Sequence, residues 1–281
     1  MALRALIWDV DGTLAETERD GHRRAFNAAF AELGLPWSWS VDRYGELLAT
    51  AGGYERLLRD MAGRRDAPPP GPPREALARE LHQRKNQHYA WLVRQGRIAL
   101  RGGVRELMDE ARAAGLQQAI ATTTSRANVD ALLSAQLGPG WEAVFDCIAC
   151  AEDAPLKKPH PQVYALTLQR LGLQPWQALA IEDSPNGIQA AQAAGVPVLV
   201  TASVYFAEAA RADGPGIVAA GPGLAQRQGW SRCGSAYGEV GQEGEGDRIG
   251  LDLLRRWHAA TAPREPVLLP LPAESLTARA V

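Results

Sequence analysis

The chain opens on a short apolar run, residues 3–9, that ends in acidic residues and glycine, the pattern of a strand buried on both faces of a parallel sheet. Three further runs of this kind lie at 118–123, 178–181 and 196–201, with helical spacing between them, as at 104–114 and 163–171. Strand and helix alternating in this way predict an α/β fold with a doubly wound, Rossmann-like parallel sheet. Between the first strand and the second lie about a hundred residues, too many for one crossover helix, so an inserted unit is expected. Its stretches 19–33, 41–48, 54–62 and 74–94 carry helix-like spacing, whereas the proline-rich residues 67–73 read as an extended or turning linker. The resulting division is a core of residues 1–15 and 96–222, a helical cap of 16–95 and a partly irregular C-terminal extension of 223–281. Within that extension 221–250 reads as loop, 251–259 as a short amphipathic piece able to dock on the core, and the rest as a mobile terminus.

Composition narrows the picture mainly by exclusion. The 281 residues are 46% hydrophobic and 22% charged, ordinary for a folded protein, and no apolar run reaches the length of a membrane span. A formal charge of -2 offers no global basic field for nucleic acid or anionic lipid, so neither partner is expected and any anionic ligand needs a local site. Three cysteines and a start that runs straight into a strand suggest a reducing cytoplasm. Cys147 and Cys150 sit in the apolar run 144–150 with no second pair to complete a zinc site, and are read as buried strand residues in preference to a metal or redox pair.

Chemistry collects at the strand ends. The first strand closes on Asp9-Val10-Asp11-Gly12-Thr13, two carboxylates before a turn, at the sheet edge where ligands of open α/β folds bind. Taken alone the motif is equally a turn or a calcium loop. Later strand ends bring Thr122, offering a hydroxyl and a backbone N–H, then Lys158 ahead of Pro159, then the pair Glu182 and Asp183. Each has a structural alternative: an exposed threonine, a solvated basic loop, a helix N-cap. Together they supply a nucleophile, a hydroxyl, a lysine and an acidic pair converging on one edge.

These four pieces resemble the motifs of the haloacid dehalogenase superfamily across roughly residues 1–220. The resemblance implies Asp9 as nucleophile attacking phosphorus, Asp11 as acid and base, Thr122 and Lys158 on the transferring oxygens, and Mg2+ held by Asp9, the Asp11 main-chain carbonyl, Asp183 and, second, Glu182. Residues 9–18, the His22-Arg23-Arg24-Ala25-Phe26-Asn27 stretch, Gly52-Gly53 with Glu55-Arg56, and residues 121–125 are similar to the CbbY-type xylulose-1,5-bisphosphate phosphatases, close to the β-phosphoglucomutases. Aligning the helix start requires one extra residue before His22. That resemblance implies a phosphosugar substrate contacted by Glu16, His22, Gly53, Arg56, Lys85 and Thr123, with Arg126 or Asn128 assisting, in a monomer. It also leaves room for a mutase, for a phosphoglycolate phosphatase, and for a catalytically silent sugar-phosphate sensor, the last disfavoured because Asp9, Asp11, Lys158 and Asp183 are all present.

Overall fold

The computed structural model describes residues 2–232 and 247–261. Cys233, the middle of the 221–250 stretch and the expected mobile terminus beyond residue 261 lie outside them.

In chain order the elements are β1 (Ala5–Trp8), a π-helical turn (Glu18–His22), α1 (Arg23–Glu32), α2 (Val41–Leu47), α3 (Gly53–Ala62), α4 (Pro72–Arg94), α5 (Val104–Ala113), β2 (Gln117–Ala121), α6 (Arg126–Leu137), β3 (Cys147–Ala149), α7 (Gln162–Leu171), β4 (Ala178–Glu182), α8 (Pro185–Ala193), β5 (Val198–Thr201), β6 (Ile217–Gly221), β7 (Ser231–Arg232) and α9 (Leu251–Thr261), besides short 3-10 turns. They build one seven-stranded sheet in the order β3-β2-β1-β4-β5-β6-β7, parallel except for β7. The expected doubly wound α/β architecture is what the chain forms.

Strand side chains alternate between two cores. Leu6 and Trp8 of β1 join Ile120, Ile181, Leu199 and Val218 on one face, with Leu107, Val129 and Trp257 from α5, α6 and α9. Ala5 and Ile7 face the other way, among Ala119, Ala180, Val198 and Val200, where Val163, Leu168 and Ile188 of α7 and α8 cover them. The alanines on that face let the helices approach closely. The insert between β1 and β2 has an apolar cluster of its own, in which Phe26, Phe30, Trp37, Trp39 and Tyr44 pack with Leu57, Met61 and Leu81. At about 25 cal/mol per Å² of apolar surface removed from water, a nest of five aromatics is sufficient reason for α1 to α4 to hold together.

Two readings are corrected in detail. The proline run does not stay extended to residue 73, because Pro72 and Pro73 form the first turn of α4. Proline suits that position, where its fixed φ is helical and its missing N–H would have had no partner. The stretch 221–250, expected as loop, begins with structure: β6 ends at Gly221, Trp230 lies against that glycine, where a side chain would collide with its indole, and β7 adds a short antiparallel strand. The amphipathic piece does dock, as α9, with Leu251, Leu253, Leu254 and Trp257 buried in the sheet's core. Cys147 and Cys150 are buried free thiols, in and just after β3. No helix among the described residues is long and apolar enough to cross a membrane.

Candidate active site

Parallel strands share one carboxyl edge, so β1, β2 and β4 deliver Asp9, Thr122 and Asp183 side by side. The register aligns Trp8 with Ile120 and Ile181, which puts Asp9 level with Ala121 and Glu182 and places Thr122 and Asp183 one residue further along. Lys158 enters from the loop between β3 and α7. Its Nζ lies 2.6 Å from Asp9 Oδ1, 2.6 Å from Glu182 Oε1 and 2.8 Å from the Ala121 carbonyl oxygen. Burial pushes this lysine's pKa down, but the Asp9 and Glu182 carboxylates outweigh it and hold the ammonium charged. Tyr164 donates to the same Glu182 oxygen at 2.5 Å.

Asp9, Glu182 and Asp183 form a buried acidic cluster whose ligand atoms lie within 4.8 Å of one another. Burial, opposed by Lys158 and reinforced by Glu182, raises the Asp9 pKa to about 8. Burial together with Asp9 and Glu182 carries Asp183 well above the carboxylate range. Asp183 Oδ1 and Glu182 Oε2 are buried without a hydrogen-bond partner. Gly12, at φ 89°, and Gly187 press against Asp183 and Glu182 so closely that neither leaves room for a Cβ. Crowded, unpartnered carboxylate oxygens in a cradle made by two glycines suit a hard divalent cation. Asp183 has the freer oxygens, since Glu182 already gives Oε1 to Lys158 and Tyr164. The Asp11 side chain stands outside the cluster, accepting from Thr17 at 2.5 Å and facing His22 Nε2 at 2.9 Å. Burial would raise its pKa, yet His22, Thr17 and Lys85 prevail and lower it.

Beside Asp11 a cavity of about 340 Å³ opens between the insert and the sheet's loops. His22, Gly53, Arg56, Lys85 and Thr123 line it, as does Asn128. Lys85 occupies a place on the apolar stripe of α4, with Ala78, Leu81 and Tyr89. It lies 5.3 Å and 5.4 Å from the Phe26 and Tyr89 ring centroids, and burial lowers its pKa to about 8. Arg56 donates to Tyr44 Oη at 2.7 Å, and that hydroxyl donates to Glu18 at 2.5 Å. Gly53 is packed so tightly that a Cβ would stand 3.0 Å from the His82 ring and 3.2 Å from Phe26 Cζ. A π-helical turn, Glu18–His22, precedes α1 and delivers His22 to Asp11.

Three expectations do not match the geometry. Glu16 turns away from the cavity, with Arg101 Nε at 3.6 Å and the Val204 N–H at 3.4 Å. Arg126 points outward, bound to Asp130 at 2.8 Å and lying over the Trp141 ring, and Asn128 takes the place on the wall. Thr122 has no free N–H, because it extends the parallel ladder to the Ala149 carbonyl at 3.0 Å; its hydroxyl accepts from the Thr124 N–H. Sequence reasoning missed Tyr44, His82, Tyr164 and Arg101. His82 was within reach of it, since helical spacing from Lys85 puts both on one face of α4. Arg101 was not, as it bonds the carbonyls of Gly12, Thr201, Ala202 and Pro222, up to 121 residues away.

Comparison with known proteins gives the family. Residues 3–195 match the model of the haloacid dehalogenase-like hydrolase family. Protein CbbY of Rhodobacter capsulatus is 49% identical over 73% of this chain and 88% of its own length, and the plasmid-encoded protein CbbY of Cupriavidus necator is 48% identical over 73% and 81%. The crystal structure of an aspartate-to-asparagine mutant of CbbY from Rhodobacter sphaeroides, in complex with xylulose-(1,5)-bisphosphate, superposes with a TM-score of 0.68 at 42% identity, covering 73% of this chain and 89% of that one. With its acidic cluster, buried lysine and adjoining cavity lined by Arg56 and Lys85 on the carboxyl edge of the sheet, the chain belongs to the haloacid dehalogenase-like hydrolases and is a phosphatase related to CbbY.

Proposed function

We propose that this enzyme is a magnesium-dependent phosphatase that hydrolyses a sugar bisphosphate, xylulose-1,5-bisphosphate, through an aspartyl-phosphate on Asp9. The observation that carries the reading is the two-pole site. Asp9 and Lys158 form a phosphoryl pole, and within the adjoining cavity Lys85 and Arg56, the latter sharing its charge with Glu18 at 3.5 Å, form a second pole. A substrate with a phosphate at each end satisfies both poles, and binding at the remote end orients the reacting one. The relative that binds xylulose-(1,5)-bisphosphate supports the choice of sugar.

In the first step Asp9 attacks phosphorus and the bond to the sugar oxygen breaks, with Lys158 and the Thr122 hydroxyl taking up charge on the transferring oxygens. The leaving oxygen takes a proton from the Asp11–His22 pair, since Asp11 is held ionised by that partner. In the second step Asp11 accepts a proton from water, which attacks phosphorus and releases Asp9. Asp9, Asp183 and Glu182 are the residues that would hold a magnesium ion, which would supply positive charge against the repulsion that a carboxylate nucleophile meets at a phosphate dianion.

The test is phosphate release with magnesium from xylulose-1,5-bisphosphate, ribulose-1,5-bisphosphate, β-glucose-1-phosphate and phosphoglycolate, with Asp9→Asn as the blank. Preference for the xylulose compound is expected. Conversion of β-glucose-1-phosphate to glucose-6-phosphate without phosphate release would replace this reading with a mutase, and preference for phosphoglycolate would remove the need for the second pole.

A further inference from the structure

Lys157 Nζ lies 2.6 Å from Glu55 Oε1, joining the loop that carries Lys158 to the first turn of α3. Each partner adjoins a residue of one pole, Lys157 beside Lys158 and Glu55 beside Arg56. Lys157 lines the cavity wall with Gly52 and Pro155. Gly52 makes room for it. That residue has φ 91°, and a Cβ there would fall inside contact distance of both the Glu55 carboxylate and Lys157 Nζ. A turn that only glycine forms easily, closed over an ion pair, fixes where α3 begins.

We propose that Glu55 and Lys157 are positioning residues: their ion pair sets the spacing between the phosphoryl pole and Arg56. The functional half of this inference rests on the two-pole reading above. The pair is a weak source of stability, because the Lys157 and Glu55 side chains are 25% and 41% exposed and pairs of this kind are readily screened. Its effect belongs to geometry. With the pair intact Arg56 meets the remote phosphate while Asp9 meets the reacting one. Without it α3 moves relative to the Lys158 loop, and binding at the two ends is no longer simultaneous.

The experiment compares wild type, Glu55→Gln, Lys157→Gln and the double variant by amide hydrogen exchange of the substrate-free protein and by kcat and KM on xylulose-1,5-bisphosphate. Exchange across residues 52–56 is expected to rise to a similar extent in both single variants. Each is expected to lose about fivefold in kcat/KM, mostly through KM, with the double variant no worse than the poorer single, as for two halves of one interaction. High salt is expected to narrow the gap to wild type. Additive losses, or exchange at residues 52–56 unchanged in both singles, would overturn the proposal. If wild type releases no phosphate from the bisphosphate, the substrate reading falls and the exchange result alone decides whether the pair holds α3.

Discussion

Asp183 shows how function and stability part at a single residue. Its carboxyl is buried against Asp9 and Glu182 and keeps an oxygen without a partner, an arrangement that costs free energy until a cation arrives. Asp183→Asn is therefore expected to abolish phosphatase activity and yet to raise the melting temperature of chelator-treated protein by a few degrees, on the order of 1 kcal/mol. Added magnesium is expected to raise the melting temperature of wild type and not of the variant. Lys85 makes a second case at this scale. Burial depresses its pKa to about 8, so the side chain is charged below that pH and neutral above it. If the charge binds the remote phosphate, and if a bound cation keeps Asp9 ionised below the pKa of about 8 it has without one, kcat/KM for the bisphosphate falls as pH rises through about 8, since that ratio reports groups of the free enzyme. In Lys85→Met this alkaline limb disappears from the pH–rate profile and the plateau drops about 10- to 100-fold, the loss expected when a charged hydrogen bond is removed.

At the scale of elements, the π-helical turn Glu18–His22 carries His22 to Asp11, and Gly21 lets it do so. A Cβ on Gly21 would lie 2.5 Å from Ile98 Cδ1 and 2.9 Å from Tyr89 Cε2, in a buried contact. Alanine improves helix propensity by about 1 kcal/mol, but overpacking costs about 1–3 kcal/mol and pushes the turn off α4. Gly21→Ala is thus expected to lower both the melting temperature and kcat, because His22 stacks on Tyr89 with centroids 4.2 Å apart and moves with it. The same element shows which features were legible in sequence. Strand ends bearing Asp9, Thr122 and Asp183 could be read because a parallel sheet puts its carboxyl termini on one edge, a rule needing only the order of the elements. Helices α1 to α4 could be read from their spacing. Where a polar side chain points could not, because that depends on partners distant in sequence. The family resemblance made Glu16 a cavity residue, but Arg101 draws it away, while Arg126 finds Asp130 one turn along its own helix. β6 escaped notice because two alanines and a terminal glycine make a weak apolar run, completed only when Trp230 folds over it.

At the scale of the molecule, described residues beyond 195, where the match to the family model stops, are part of the same core, among them Leu199, Val218, Trp230 and Trp257. Trp257 of α9 and Trp230 pack with ring centroids 5.7 Å apart and planes tilted by 35°, and both join the cluster that holds Trp8 and Ile181. Arg101 links the exits of β5 and β6 to the Gly12 carbonyl, two chemically different uses of the same region. The tryptophan pair supplies apolar burial far from Asp9, whereas the arginine touches the turn that packs on Asp183. Trp257→Ala is accordingly expected to destabilise the fold by about 3–5 kcal/mol, as for other buried tryptophans, and to leave kcat near wild type at temperatures where the variant stays folded. Arg101→Ala removes carbonyl partners beside the catalytic turn, so its activity should fall even in the folded protein. Thermal melts paired with initial rates on each variant check both statements. Equal loss of kcat in the two would mean that α9 and the Gly12 turn move as one cooperative unit, not as a packing support joined to the site by a single guanidinium.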